Sequence, residues 1–412
     1  MNHGGFTTKA VHASAVKANA QGALQFPLFT GAAYEFETAE AMRDSFAGKK
    51  AAHAYSRISN PTVEAFEIRM ARLEDGRGAI AASSGMAAIS TVLLNLLSAG
   101  DSLVVASSLF GGTFSLLRNV LAPLGIQSRF VPITDPAAVE EAIDGSTRAL
   151  FVETIANPGM VVPDFAALSG IARRHGIVLV ADGTVTTPYL FNARGHGVDI
   201  IIHSTTKYIS GGWAGVGGII VDLGTFDWGS IPSLKQYRRF NEMAFIARLR
   251  REVHRETGCC MSPLVAGFQS MGLETLSLRM DRICGNAARM ADFLALRDDV
   301  RSVGYPGLAA SPFHEVSRKQ FNGMFGGILT FELNDAAACY RFLNGLSLIK
   351  KATNFGDNRS LAIHPASTIF AGMPPEERVS LGAPDAMIRL SAGIEDPDDI
   401  IDDIGRALGS AA

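Results

Sequence analysis

Two stretches decide the fold: Ile177-Val178-Leu179-Val180-Ala181-Asp182-Gly183-Thr184 and, a little downstream, Asp199-Ile200-Ile201-Ile202-His203-Ser204-Thr205-Thr206-Lys207. Each carries an unbroken aliphatic run that ends in polar residues. A strand with one wet face would alternate, so a continuous apolar run indicates a strand covered on both faces, as in parallel sheets. Further strand-like runs lie at Ser102–Ala106, Gln127–Pro132, Arg148–Glu153 and Val216–Val221. Between most of them stand helical patterns at Met86–Leu97, Phe114–Leu124, Ala137–Ile143 and Phe165–His175. Upstream, Pro61 opens a helix running to about Leu73, a favoured place for proline. This alternation predicts an α/β architecture: a large, mostly parallel sheet with helices on both faces.

Residues 226–260 read as irregular, aromatic and basic (Phe226, Trp228, Tyr237, Arg238, Arg239, Phe240). A long helical pattern then runs from Pro263 to about Leu296. Strand-like segments follow at Phe325–Leu333 and Met387–Ser391, with helices near Ala336–Leu346 and Pro397–Leu408. The expected organisation is an N-terminal arm (1–60), a sheet domain (61–260) and a smaller α+β C-terminal domain (261–412). The arm shows little periodicity, and a long irregular segment of this kind is expected to lie on a partner subunit.

Composition narrows the function. With 47% hydrophobic and only 19% charged residues among 412, the chain is an ordinary apolar globular protein, not a disordered one. Its net charge of −3, without a long basic run, excludes the electrostatic footprint of a nucleic-acid binder. No apolar stretch reaches the roughly 18 residues of a membrane span. The start, Met1-Asn2-His3-Gly4-Gly5, lacks a signal pattern, and four cysteines fit a reducing cytoplasm. Their spacing, with Cys259 and Cys260 adjacent, indicates buried free thiols and no metal site.

Ligands of parallel sheets bind at the carboxyl ends of the strands, so chemistry is sought there. After Ile202 come clustered hydroxyls and Lys207. A lysine can form a Schiff base with an aldehyde, and hydroxyls with backbone amides bind phosphate. Alone, this turn reads equally as a solvated loop. Asp182 ends an apolar strand, where a carboxylate needs a cationic partner such as a protonated ring nitrogen or a structural arginine. Ser83-Ser84-Gly85-Met86-Ala87-Ala88 runs from a strand end into a helix start, where free amides make an anion site. Together these are the parts of a pyridoxal phosphate site. The glycine-rich Gly211–Gly218 stretch follows the lysine instead of a first strand, so it is no dinucleotide fingerprint and reads as close packing.

Several ordered motifs carry a family resemblance: Tyr55-Ser56-Arg57-Ile58-Ser59-Asn60-Pro61-Thr62, Ser83 to Ala87, Glu153-Thr154-Ile155-Ala156-Asn157-Pro158, Asp182, Ser204 to Tyr208, His364 to Thr368, and Arg389 to Glu395. On these the chain resembles the Cys/Met-metabolism family of pyridoxal-phosphate enzymes, which includes cystathionine γ-synthase, methionine γ-lyase and the homoserine-ester sulfhydrylases. Gly111-Gly112-Thr113, Phe226-Asp227-Trp228, Gly272 to Met280 and Asn354-Phe355-Gly356-Asp357 resemble the O-acetylhomoserine sulfhydrylase branch most. The resemblance implies the fold type I of pyridoxal-phosphate transferases and a set of roles. Lys207 would be the Schiff-base lysine and proton shuttle, and Asp182 the partner of the ring nitrogen. Gly85, Met86, Ser204 and Thr206 would bind phosphate, and Asn157 would face the phenolic oxygen. Arg389, with Asn354 beside it, would clamp the substrate carboxylate. Tyr55 and Arg57 would reach the neighbouring subunit's phosphate, implying a homodimeric active unit within a tetramer. The implied reaction is γ-replacement on O-acetylhomoserine by sulfide or a small thiol. The succinyl ester, γ-elimination to 2-oxobutanoate and a protein-bound sulfur carrier stay open.

The chain departs from the family at three places. Phe110 stands where a stacking tyrosine is usual, Gly183 where an asparagine commonly follows the aspartate, and Gly112 where methionine γ-lyases resemble one another in a cysteine. Phenylalanine keeps the stack and loses the phenol thought to protonate a leaving group. A leaving carboxylate, with a conjugate acid near pKa ~4, needs that proton less than a thiolate near ~8.5. Phe110 therefore favours an O-acyl ester over a thioether substrate. The 226–260 segment also looks shorter than the matching insertion in many relatives.

Overall fold

In a computed structural model describing residues 4–12, 22–212 and 215–409, the apolar runs assemble into a seven-stranded sheet. Its strands are β1 (Gly78–Ala82), β2 (Ser102–Ala106), β3 (Gln127–Val131), β4 (Thr147–Glu153), β5 (Val178–Asp182), β6 (Ile200–His203) and β7 (Gly218–Asp222), in the order β1-β7-β6-β5-β4-β2-β3. β7 runs antiparallel to both neighbours, while β6, β5, β4, β2 and β3 are parallel. The unbroken apolar runs have the predicted cause. Leu150, Val152, Leu179, Ala181 and Ile201 enter one buried cluster, and Ala149, Phe151, Val178, Val180, Ile200 and Ile202 the other.

Local signals set the helix ends. Asn60 accepts hydrogen bonds from the Thr62 and Val63 amides ahead of the helix Pro61–Leu73. Asp164 caps Phe165–His175, which ends at Gly176 with φ +63°. The long pattern after Pro263 is two helices, Pro263–Glu274 and Leu276–Ala295. The break at Thr275 is held by Arg279, which donates to the carbonyls of Gly272 (2.7 Å) and Tyr208 (2.6 Å).

A second, five-stranded sheet carries the C-terminal part: β8 (Ser302–Gly304), β9 (Ile328–Glu332), β10 (Lys350–Lys351), β11 (Leu361–Ile363) and β12 (Met387–Ser391), ordered β10-β11-β12-β9-β8. β8, β10 and β11 are too short to show a pattern in the sequence.

Two expectations need correction. Residues 226–260 are largely helical: 3-10 turns at Trp228–Ser230 and Pro232–Met243 precede helices Ala244–Arg251 and Val253–Thr257. Trp228 anchors them, its buried indole donating to Asp222 Oδ2 at 3.0 Å. The arm is not irregular throughout, for it holds helices Phe6–His12 and Ala39–Phe46. Ala10 of the first is buried, and Phe6 packs on the core of the same chain. Residues 1–3 and 13–21 of the arm, and Trp213 and Ala214 of the glycine-rich stretch, lie outside the described residues. All four cysteines are free thiols; Cys284 and Cys339 are buried, whereas Cys259 and Cys260 are only half-buried. Among the described residues no helix is long and apolar enough to cross a membrane.

Candidate active site

The C-terminal ends of β1, β4, β5 and β6 open on one side, and there a cavity of about 300 Å³ is lined by residues from both sheets. β1 passes through Ser83 into the helix Gly85–Leu96, whose N-cap Ser84 takes the Ala87 amide. The first amides of a helix have no intrahelical acceptor, and Gly85 and Met86, which line the cavity, belong to that turn. Ser204 closes against it: a Cβ at Gly85 would fall 2.6 Å from Ser204 Cβ, so only glycine admits this approach. Thr206 also lines the cavity, but its hydroxyl is engaged with Gly217, accepting from N–H at 3.0 Å and donating to C=O at 3.2 Å.

Asp182 ends β5 and borders the cavity, with Oδ1 accepting the Thr184 amide at 2.8 Å. Burial pushes its carboxyl above the ordinary range, against the hydrogen bonds from Thr184. Lys207 donates from Nζ to Asn354 Oδ1 at 2.6 Å and lies 4.8 Å from the centre of the Phe355 ring. Burial, reinforced by the Arg389 charge, draws it down to about 8. Arg389, on β12, is buried and stays cationic near neutral pH although burial lowers it to about 10. It donates from Nη1 to Asn157 Oδ1 (3.0 Å) and from Nη2 to the Asn354 carbonyl (2.8 Å), while its Nε has no partner among the described residues.

The cavity thus gathers Gly85, Met86, Phe110, Asn157, Asp182, Ser204, Thr206, Lys207 and Arg389, with Asn354 bonded to the lysine. Tyr55 and Arg57 stay outside it. Tyr55 is 44% exposed, and Arg57 donates to the Arg255 carbonyl at 2.8 Å. The departures have a physical basis. A Cβ at Gly112 would lie 2.5 Å from Phe110 Cε1, so the Phe110 ring occupies the space a side chain would need. A Cβ at Gly183 would lie 2.7 Å from His203 Cε1, and the His203 ring is bonded through Nε2 to Glu74 Oε1 at 2.5 Å. Sequence reasoning assigned no role to Phe355 or Glu153. Glu153 carried the same signal as Asp182, a carboxylate ending an apolar strand.

A buried lysine, a buried carboxyl and a helix start lining one cavity are the residue types a pyridoxal phosphate site needs. The residues fit the group: the close Ser204–Gly85 approach would cradle its phosphate, and the Arg389 Nε has no partner among the described residues. The model of the Cys/Met metabolism PLP-dependent enzymes matches residues 7–409, and the chain belongs to that family. It is 39% identical to an L-methionine gamma-lyase of Pseudomonas putida over 99% of this chain and 98% of the other. It is 37% identical to an O-acetyl-L-homoserine sulfhydrylase of Leptospira meyeri, covering 93% and 91% of the two chains. A solved O-acetylhomoserine (thiol)-lyase from Campylobacter jejuni, carrying a pyridoxyl-lysine phosphate, superposes with a TM-score of 0.94 at 34% identity, over 99% of this chain and 100% of that one. The cofactor is pyridoxal phosphate and the fold is that of this family.

Proposed function

We propose that the protein catalyses γ-replacement on O-acetylhomoserine, in which acetate leaves and sulfide or a small thiol takes its place, giving homocysteine or methionine. The observation that carries this reading is Phe110 at the cavity wall, a ring without a phenol, beside Gly112. A site lacking that acid suits a leaving group that departs as a carboxylate.

Pyridoxal phosphate supplies an electron sink for charge formed at the substrate α-carbon. The chain does the rest. Gly85, Met86, Ser204 and Thr206 would hold the phosphate. Phe110 would stack on the ring, and Asn157 would face the phenolic oxygen. Asp182 holds a cationic ring nitrogen, which offsets the burial that otherwise raises its carboxyl. Arg389, steadied by Asn157 and Asn354, takes the substrate carboxylate with a guanidinium fork. Lys207, whose amine is drawn below its ordinary range by burial, would take the α-proton and return protons as the thiol adds. Tyr55 and Arg57, outside their own cavity, serve the site of a second copy, so the active unit is a dimer within a tetramer. A protein-bound sulfur carrier would present sulfur to the same cavity as free sulfide.

A second reading is γ-elimination to 2-oxobutanoate, favoured by the P. putida relative named a methionine gamma-lyase. The test mixes purified holoenzyme with O-acetylhomoserine and follows acetate, homocysteine and 2-oxobutanoate with and without sulfide. Homocysteine that requires sulfide, with little oxoacid, is the expected result. Rapid oxoacid without sulfide would replace this reading with the lyase, and turnover of the succinyl ester alone would change the acyl group.

A further inference from the structure

The residue that binds the pieces of this site together is one to which no chemistry has yet been given. Glu153 ends β4 as Asp182 ends β5, and the two are register partners on adjacent parallel strands. Both line the cavity, so two carboxyls stand side by side at its floor. Glu153 is buried and makes no ion pair among the described residues, and both of its oxygens are turned to backbone donors. Oε1 accepts the Phe110 amide at 2.7 Å; Oε2 accepts the Asn157 amide at 3.2 Å. Phe110 begins the helix Gly111–Leu116 without any side-chain cap of its own. Asn157 in turn receives Arg389 Nη1, while Arg389 Nη2 and Lys207 Nζ both meet Asn354. One carboxyl is therefore the first link of a bonded path from the stacking aromatic to the carboxylate clamp and the lysine.

We infer that Glu153 is a positioning residue that sets the stacking ring and the substrate-carboxylate clamp relative to each other. The inference rests on the cofactor-site reading above. Burial beside Asp182 pushes Glu153 up to about 8, against the two amide bonds that lower it. Those two amide bonds favour the two-acceptor carboxylate form of Glu153. The other charged groups lining the cavity, Lys207 and Arg389, are taken up by Asn354 and Asn157.

Glutamine separates the two arms. Its single carbonyl oxygen can keep the shorter bond to Phe110, but its NH2 then meets the Asn157 N–H, donor against donor. The Asn157–Arg389 arm loosens while the ring arm stays. The readout is the absorption band of bound pyridoxal phosphate in the holoenzyme, titrated with L-norleucine and with pentylamine, the same chain without a carboxylate. In E153Q the norleucine Kd is expected to rise about tenfold, the value of about one hydrogen bond. The pentylamine Kd should stay within about twofold by the same scale, with a fall in melting temperature of only a few degrees that E153D repairs. E153D, which keeps two acceptors, should restore part of the norleucine affinity.

Equal weakening of both ligands, or a norleucine Kd unchanged in a variant that folds and binds cofactor, would overturn the assignment. So would a fall in melting temperature that E153D does not repair, since that marks a purely structural carboxyl. An unmutated protein that takes up no pyridoxal phosphate would bring down the site reading itself, which a normal band in that protein keeps distinct from the failure of Glu153.

Discussion

Gly112→Ala is the smallest change that tests how the Phe110 ring is placed. The added Cβ would sit 2.5 Å from Phe110 Cε1, 3.1 Å from Cδ1 and 3.2 Å from Cζ. Carbon atoms rest at about 3.5–4.0 Å, so the ring must withdraw by about 1 Å. A misplacement of that size at a reacting centre costs on the order of 10²-fold in rate, or about 2.7 kcal/mol. Folding should suffer by only about 1–3 kcal/mol, the usual cost of overpacking. The assay is acetate release from O-acetylhomoserine with sulfide, read as kcat, beside the absorption of the bound cofactor. A cycle with Phe110→Ala isolates the cause: once the ring is gone, Gly112→Ala should cost less than about twofold. A normal kcat in Gly112→Ala, or an equal loss in both backgrounds, would refute the idea that the glycine is there to seat the ring.

Phe110→Tyr restores a phenol, and elimination from a thioether such as methionine should rise about 10²-fold while the acetyl ester changes little; an unmoved thioether-to-ester ratio counts against the leaving-group argument. Lys207→Met acts on stability in the cofactor-free protein. The folded lysine sits at about 8 against 10.5 unfolded, so below pH 8 the chain carries the whole cost of burying the charge, up to about 3 kcal/mol. That cost fades between pH 8 and 10.5, because the unfolded state there binds the extra proton. Denaturant unfolding should show the methionine variant more stable at pH 7 and its advantage shrinking toward pH 10, less whatever the Asn354 bond contributes; a gap independent of pH would contradict this. Arg389→Lys keeps the charge but not the fork that meets Asn157 and Asn354, so KM for O-acetylhomoserine should rise about 10–100-fold with a smaller change in kcat.

The sequence exposed those parts of the site whose signal is local. Asp182 and Lys207 stand at the ends of apolar runs, and such positions point to the carboxyl edge of a parallel sheet. Glu153 stands at the same kind of position, yet its partners are amides of Phe110 and Asn157, which only the folded chain brings to it. β1 shows in the sequence only by its end before Ser83, for a different reason. Gly78-Ala79-Ile80-Ala81-Ala82 has little intrinsic strand preference and becomes a strand through its pairing with β7 and burial on both faces. The long helical pattern after Pro263 is helical as expected, but its break at Thr275 cannot be seen from periodicity because it depends on the Arg279 bonds to Gly272 and Tyr208. Tyr55 and Arg57 came from resemblance alone, and the fold of their own chain gives them no place at its cavity.

The glycine-rich stretch shows how topology and chemistry are joined here. After Lys207 the chain turns back and enters β7, the one reversed strand, between β1 and β6. That return wedges it between the helix start and the lysine turn. A Cβ at Gly218 would fall 2.2 Å from the Ser84 carbonyl oxygen, and one at Gly217 would fall 2.5 Å from Thr205 Oγ1. Any larger residue would drive the Ser84–Gly85 anion site away from the Ser204–Lys207 turn. Those two features lie more than 100 positions apart in the chain. In the proposed site they act together, one toward the phosphate and one toward the aldehyde of pyridoxal phosphate. The reversed strand and its glycines set that separation, so a packing feature of the sheet becomes a dimension of the active site.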